Sequence, residues 1–201
     1  MGRWEPGTAD RLRLAALELF VEQGYEATTV DDIAERVEVT QRTFFRHFAD
    51  KEEVLFDEDD SIRQILVAAA TAHAREHGAG PGTGLAAARD ATAALARSFE
   101  RERERHRARW EVLANIPALQ GRQLVKQERW VGALRDALID NGVPRSEAAV
   151  AVEVASASIR LAYAEWLSAR RPRRLLPLLR ATDEKFDLLL GGTPTTPATA
   201  H

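Results

Sequence analysis

Gln41 and Arg42 stand side by side between Thr40 and Thr43, and this run holds the side chains best suited to reading nucleic-acid bases. A glutamine amide can bond N6 and N7 of adenine, an arginine can bond O6 and N7 of guanine, and threonine offers a hydroxyl together with a methyl for thymine. In a helical run Gln41, Arg42, Phe45 and Arg46 point outward together, and an aromatic among arginines is an unusual plain surface. Other constellations are weaker. His73-Ala-Arg-Glu-His77 puts two histidines one helical turn apart, the spelling of one zinc-peptidase class, but only His106 offers itself as a third ligand, and no metal is expected. Gly78–Gly84 contains five Gly or Pro residues, yet it lacks the preceding strand and the glycine spacing of a phosphate cradle and reads as a linker. Glu100–Arg107 alternates in sign and reads as a solvated, ion-paired face. No serine, histidine and carboxylate set is spaced for nucleophilic catalysis, so neither a catalytic residue nor a cofactor is expected.

The elements that must position Gln41 and Arg42 are helices. From Thr8, the residues Leu12, Ala15, Ala16, Leu19 and Phe20 recur at helical spacing, and Gly24 closes the segment. Thr29 precedes Val30, Ile33, Ala34 and Val37, with Asp31 and Asp32 in the first turn, which predicts a short second helix. Thr40 caps a third, running to about Phe48 with Phe44 and Phe48 inward. Asp50-Lys-Glu-Glu53 resembles a capping box and predicts a long fourth helix reaching about Glu76. Beyond the glycine-rich run, helical patterns cover about 85–105, 106–115, 119–140, 146–170 and 174–190, separated by Pro117, Asn141-Gly142 with Pro144, and Pro172. No segment alternates as a strand would.

The block from Gly24 to Phe56 resembles the DNA-binding region of the TetR/AcrR family of bacterial regulators. The matching residues are Gly24-Tyr25, Thr29-Val30, Ile33-Ala34, Thr40, Thr43, Phe44, Arg46-His47-Phe48 and Lys51-Glu52. The resemblance implies a homodimer whose third helix enters the major groove of a palindromic double-stranded DNA operator. It also implies phosphate contacts from Thr28, Thr29, Arg46, His47 and Lys51, the last placed where a helix N-terminus favours an anion. Two positions depart from the family's habit. Glu38 stands where many members carry Gly, so a left-handed turn there costs about 1 to 2 kcal/mol unless the turn is built differently. Phe45 replaces a common Tyr and leaves only packing to offer.

In the middle helices, Phe99, Trp110, Leu113, Trp130 and Leu134 sit where the resemblance implies a cavity for an apolar or amphipathic small-molecule effector. A plain core suits them too. One apolar stripe contains Ala155, Ile159, Tyr163 and Trp166, and another Leu175, Leu179 and Phe186. Intramolecular packing explains both as well as pairing does; the resemblance implies that they form the subunit interface.

Composition sets the outer limits. The net charge is −3, and within residues 1–51 seven basic side chains face ten acids, which argues against a nonspecific DNA binder and favours, as the alternative reading, a helical small-molecule-binding protein or enzyme with a degenerate helix-turn-helix. No cysteine is present, so disulfides and thiolate metal sites are excluded. No apolar run is long enough to cross a membrane, and Met1-Gly-Arg-Trp-Glu5 is not the start of a signal peptide, so a cytoplasmic protein is expected. The expected chain is all-α: a DNA-binding domain over 1–50 with its motif at about 29–48, a larger ligand-binding and dimerisation domain over 51–192, and a disordered tail at 193–201. Its expected role is that of a ligand-responsive transcriptional repressor.

Overall fold

Thr29 and Thr40 start two helices of only seven residues each, lengths that do not persist on propensity alone. Each threonine takes a backbone N–H of the first turn onto its hydroxyl, from Asp32 at 3.1 Å and from Thr43 at 3.2 Å. Asp32 answers by accepting the Thr29 N–H at 2.8 Å, completing a capping box.

The computed structural model describes residues 7–56, 59–114, 116–169 and 171–191. The expected tail at 193–201 lies outside them. Among the described residues there is no strand, and the α-helices are α1 (Thr8–Glu22), α2 (Val30–Arg36), α3 (Gln41–His47), α4 (Asp59–His77), α5 (Gly84–Phe99), α6 (Arg103–Ala114), α7 (Pro117–Asp140), α8 (Arg145–Ser168) and α9 (Leu175–Leu189). The all-α reading holds. Pro117 opens α7 instead of standing between helices, a first-turn position where its missing N–H has no intrahelical partner to lose.

One expectation fails at the fourth helix. Asp50 does cap the Glu53 N–H, at 2.7 Å, but the chain then makes only a single 3₁₀ turn over Glu53–Leu55, and α4 begins only at Asp59. Val54, Leu55 and Phe56, in and just after this turn, are all buried.

By packing, the chain divides into two compact units, one of residues 1–60 with 102–128 and one of residues 61–101 with 129–201. In the first, Leu12, Ala16 and Phe20 of α1 meet Ile33 of α2, Phe44 and Phe48 around α3, Phe56, and Leu113 and Leu119 from α6 and α7. Each fully buried phenylalanine contributes about 2 to 3 kcal/mol. In the second, alanines permit close helix approach: Ala87, Ala88 and Ala91 of α5 pack with Ala148, Ala151 and Ala155 of α8, flanked by Leu66, Leu134 and Leu138. The glycine-rich run is held in this unit. The N–H groups of Gly82 and Gly84 donate to the Glu147 carboxylate at 2.8 and 2.7 Å, which uses the donors a phosphate would need.

Candidate nucleic-acid interface

α3 is the outward helix of the first unit. Gln41, Arg42 and Arg46 are exposed, and Phe45 is 53% exposed with its ring edge-on to buried Phe44 at 5.5 Å. Thr40 and Thr43 pair their hydroxyls at 3.1 Å at the start of the helix. Phe44 and Phe48 anchor its inner face, their rings 5.3 Å apart, so that α3 is fixed by its apolar side and free on its polar one.

The turn that leads into α3 carries the one positive φ of a non-glycine among the described residues. Glu38 has φ +58°, the left-handed region. Its N–H bonds the Glu35 carbonyl at 3.0 Å and the next N–H, of Val39, reaches back to Ala34 at 2.9 Å. Those are the paired bonds of a Schellman motif, whose left-handed position favours Gly. The turn is therefore built in the usual way despite Glu38, with the strain retained. Arg11 of α1 donates to the Val37 carbonyl at 2.7 Å and holds the same corner from outside.

The excess of acids over bases does not describe this surface. Asp10 pairs with Arg13, and Arg36 pairs with Glu22 at 2.8 Å and Glu18 at 3.5 Å. The Arg36 hydrogen bond, the chief cause, draws the Glu22 carboxyl below its ordinary range. Asp50 is neutralised by Arg122 of α7 at 3.0 Å, and so is Glu52 at 2.7 Å. Among the described residues Arg42 and Arg46 have no carboxylate partner; Arg46 touches only His47, which is half-buried, at 3.4 Å. Arg42 and Arg46 thus stand together on α3 without a carboxylate beside them.

Two of the expected phosphate contacts are placed elsewhere. Thr28 is 1% exposed, and its hydroxyl donates to the Gly24 carbonyl at 2.8 Å. Lys51 opens no helix: it lies in a turn, half-buried, with its ammonium on the carbonyls of Tyr25 and Thr28. Thr29 is exposed, but its hydroxyl is occupied as the α2 cap.

The effector residues fall in both units. Trp110 is half-buried on α6 and Leu113 lies in the first core, whereas Phe99 and Trp130 pack half-buried against the second core, of which Leu134 is a member. Of the expected interface residues, Ala155, Trp166, Leu175 and Leu179 are at most 1% exposed and belong to the interior of the chain. The Trp166 indole N–H donates to the Arg173 carbonyl at 2.9 Å, fixing the α8–α9 corner. Ile159, Tyr163 and Phe186 are half-buried, with Tyr163 5.6 Å from the Phe99 ring. The apolar surface that α8 and α9 do expose is a different one: Val150, Leu161, Leu188 and Leu189. Its signal was present in the sequence, since Val150, Val154, Ala157, Leu161 and Ala164 recur at alternating steps of four and three. His73 and His77 stack 4.7 Å apart with His73 on Asp90 at 2.6 Å, and no group of three ligands suited to a metal occurs among the described residues. No helix among them is long and apolar enough to cross a membrane.

Residues 12–57 match the family model described as bacterial regulatory proteins, tetR family. Over 62 residues the chain is 58% identical to the HTH-type transcriptional regulator TcmR of Streptomyces glaucescens, a stretch that covers 31% of this chain and 27% of TcmR. The chain spans about a quarter of the length of the curated relatives it matches. FadR of Thermus thermophilus, a TetR-family transcriptional repressor solved in complex with lauroyl-CoA, shares the fold with a TM-score of 0.56 and 21% identity, over 96% of this chain and 98% of that one. PfmR of Thermus thermophilus, a TetR family transcriptional regulator, does so with a TM-score of 0.52 and 25% identity, over 92% and 100%.

Proposed function

We propose that this chain, a member of the TetR family by its residues 12–57 and its helical fold, is a ligand-responsive transcriptional repressor that binds a palindromic DNA operator as a homodimer in the cytoplasm. The observation that carries the reading is the face of α3, where Gln41, Arg42, Phe45 and Arg46 stand exposed on a helix capped at Thr40 and anchored by Phe44. Gln41 and Arg42 read base edges, Arg46 and His47 bind phosphate, Thr40, Thr43 and Phe45 line the approach, and Thr29 sets the start of α2. Residues 1–50 serve recognition and residues 51–192 sensing and pairing.

Reading two half-sites about 34 to 36 Å apart takes two copies related by a twofold axis. The exposed apolar face of Val150 and Leu161 on α8, with Leu188 on α9, suits that pairing better than the buried stripe does. For the effector, Phe99, Trp130 and Leu134 are the stronger candidates. The Trp130 indole N–H is buried with no acceptor among the described residues, which suits an amphipathic ligand carrying a hydrogen-bond acceptor. That the FadR neighbour was solved with lauroyl-CoA agrees in kind, not in identity. A coupling of about 1 to 3 kcal/mol between effector and operator would change DNA affinity about 5- to 150-fold.

Selection of duplexes from a randomised pool with the purified protein tests this. A recovered sequence with twofold symmetry is expected, and Arg42→Ala should lose about 1 to 3 kcal/mol of discrimination at one base pair per half-site while keeping its thermal midpoint. A pool that yields no shared sequence, or an Arg42→Ala variant with unchanged preference, would sink the proposal.

A further inference from the structure

Lys51 holds the turn between α1 and α2. Its Nζ lies 2.7 Å from the Tyr25 carbonyl oxygen and 2.8 Å from that of Thr28, and it sits 4.1 Å from the centroid of the Tyr25 ring. An ammonium has three N–H donors, and here two of them end on main-chain oxygens. The ring it covers is packed on its own account, 5.1 Å from Phe20 of α1. Thr28 is buried and closes the same turn by donating to Gly24, whose φ is +93°. The residue after Thr28 is the α2 cap, so the carbonyl that Lys51 grips adjoins the point where α2 begins.

We infer that Lys51 is a positioning residue for DNA recognition, which fastens the Gly24–Thr29 turn and with it the seating of α2 beneath the recognition helix, and that it makes no contact with phosphate. This rests on the reading that α3 enters duplex DNA. An ammonium held by two carbonyls and a ring cannot leave them without releasing the turn. Removal of Lys51 should therefore weaken binding by loosening α2, not by subtracting a cation from the interface.

The two roles separate in a salt titration. Each phosphate contact contributes about 0.9 to the slope of log K against log salt on duplex DNA. Binding of the purified full chain to the duplex recovered by the wild type is measured for Lys51→Met and Lys51→Arg, together with amide exchange at Asp32 and Ile33, whose N–H groups bond the Thr29 hydroxyl and carbonyl. For Lys51→Met the expected result is a loss of about tenfold in affinity with the slope held within about 0.3, alongside exchange at least about fivefold faster at both amides. Lys51→Arg, which can still donate to both carbonyls and cover the ring, should restore affinity and exchange. A slope reduced by about 0.9 for each lysine overturns the inference, as does unchanged exchange in Lys51→Met. A wild type that binds no duplex would instead remove the regulatory reading, leaving amide exchange to decide whether Lys51 fastens the turn.

Discussion

Lys126 of α7 reaches Glu53 across 73 residues of sequence, its Nζ 2.8 Å from one carboxylate oxygen, while Arg122 one turn earlier closes on the other. Arg122 also pairs with Asp50 and Glu52, and both cations lie over the buried Phe56 ring at 5.5 to 5.7 Å. The segment after α3 is thus bolted to α7 by charge and to the core by an aromatic ring.

Arg122→Gln should destabilise the protein by about 2 kcal/mol, less than a fully buried pair because the side chain retains some exposure. Burial opposes ionisation of Glu53, but the hydrogen bonds and charges of Lys126 and Arg122 prevail and hold its carboxyl below the ordinary range. That contribution is complete above the unfolded carboxylate pKa of about 4.3 and is lost as pH falls through the lower folded value. Urea unfolding at pH 7 and across the acid range checks both parts; an Arg122→Gln midpoint equal to wild type at pH 7 would show the cluster to be inert.

Glu38→Gly should stabilise the first unit by up to about 1 kcal/mol, since glycine adopts φ +58° freely, though its looser unfolded chain takes back part of the gain. Glu38→Ala keeps the Cβ and should not help. Thermal midpoints of the two variants decide it, and a Gly variant no more stable than Ala would mean that the turn is not strained.

His106 on α6 is 5% exposed, and burial chiefly, with Arg109 and Arg105 behind it, pushes its pKa down from 6.5 to about 3. The unfolded chain takes up this proton near pH 6.5 while the folded chain refuses it until near 3, so stability falls as pH drops through that window. Between pH 6.5 and 5, before carboxylates titrate, the slope should approach about 1 kcal/mol per pH unit. His106→Leu should flatten that slope in urea unfolding; a Leu variant with the wild-type slope assigns the effect elsewhere.

Leu161→Glu should leave the fold and the helical circular dichroism intact, because the side chain is 55% exposed, and should convert a dimer to a monomer in sedimentation equilibrium. Ala155→Glu, placed at a position with no exposure, should fail to fold instead. A Leu161→Glu protein that still sediments as a dimer would move the interface to another face.

The first three helices were legible because their signals are local. Thr29 and Thr40 name the caps, and Phe44 with Phe48 names the inner face, all within a few residues of the backbone they fix. What was not legible depends on partners distant in sequence. Nothing near Lys51 announces that its ammonium will rest on Tyr25 and Thr28, and Arg122 is 69 residues from Glu53. On α8 both stripes are apolar at helical spacing, so periodicity could not choose between them. The choice was made by the alanines of α5, small enough to draw Ala151 and Ala155 inward and leave Val150 and Leu161 outside. The fourth helix was misplaced because a valid cap at Asp50 says where a turn starts, not how long it continues.

Trp166, Leu175 and Leu179 are sealed inside a single chain, so their burial needs no second copy. Were pairing to rest on the shallower outer stripe alone, the amount of twofold complex would grow with the square of protomer concentration wherever the protein is scarce. On the proposed reading, copy number then acts as a second input beside the effector, and a cell holding few molecules leaves the promoter open with no effector at all.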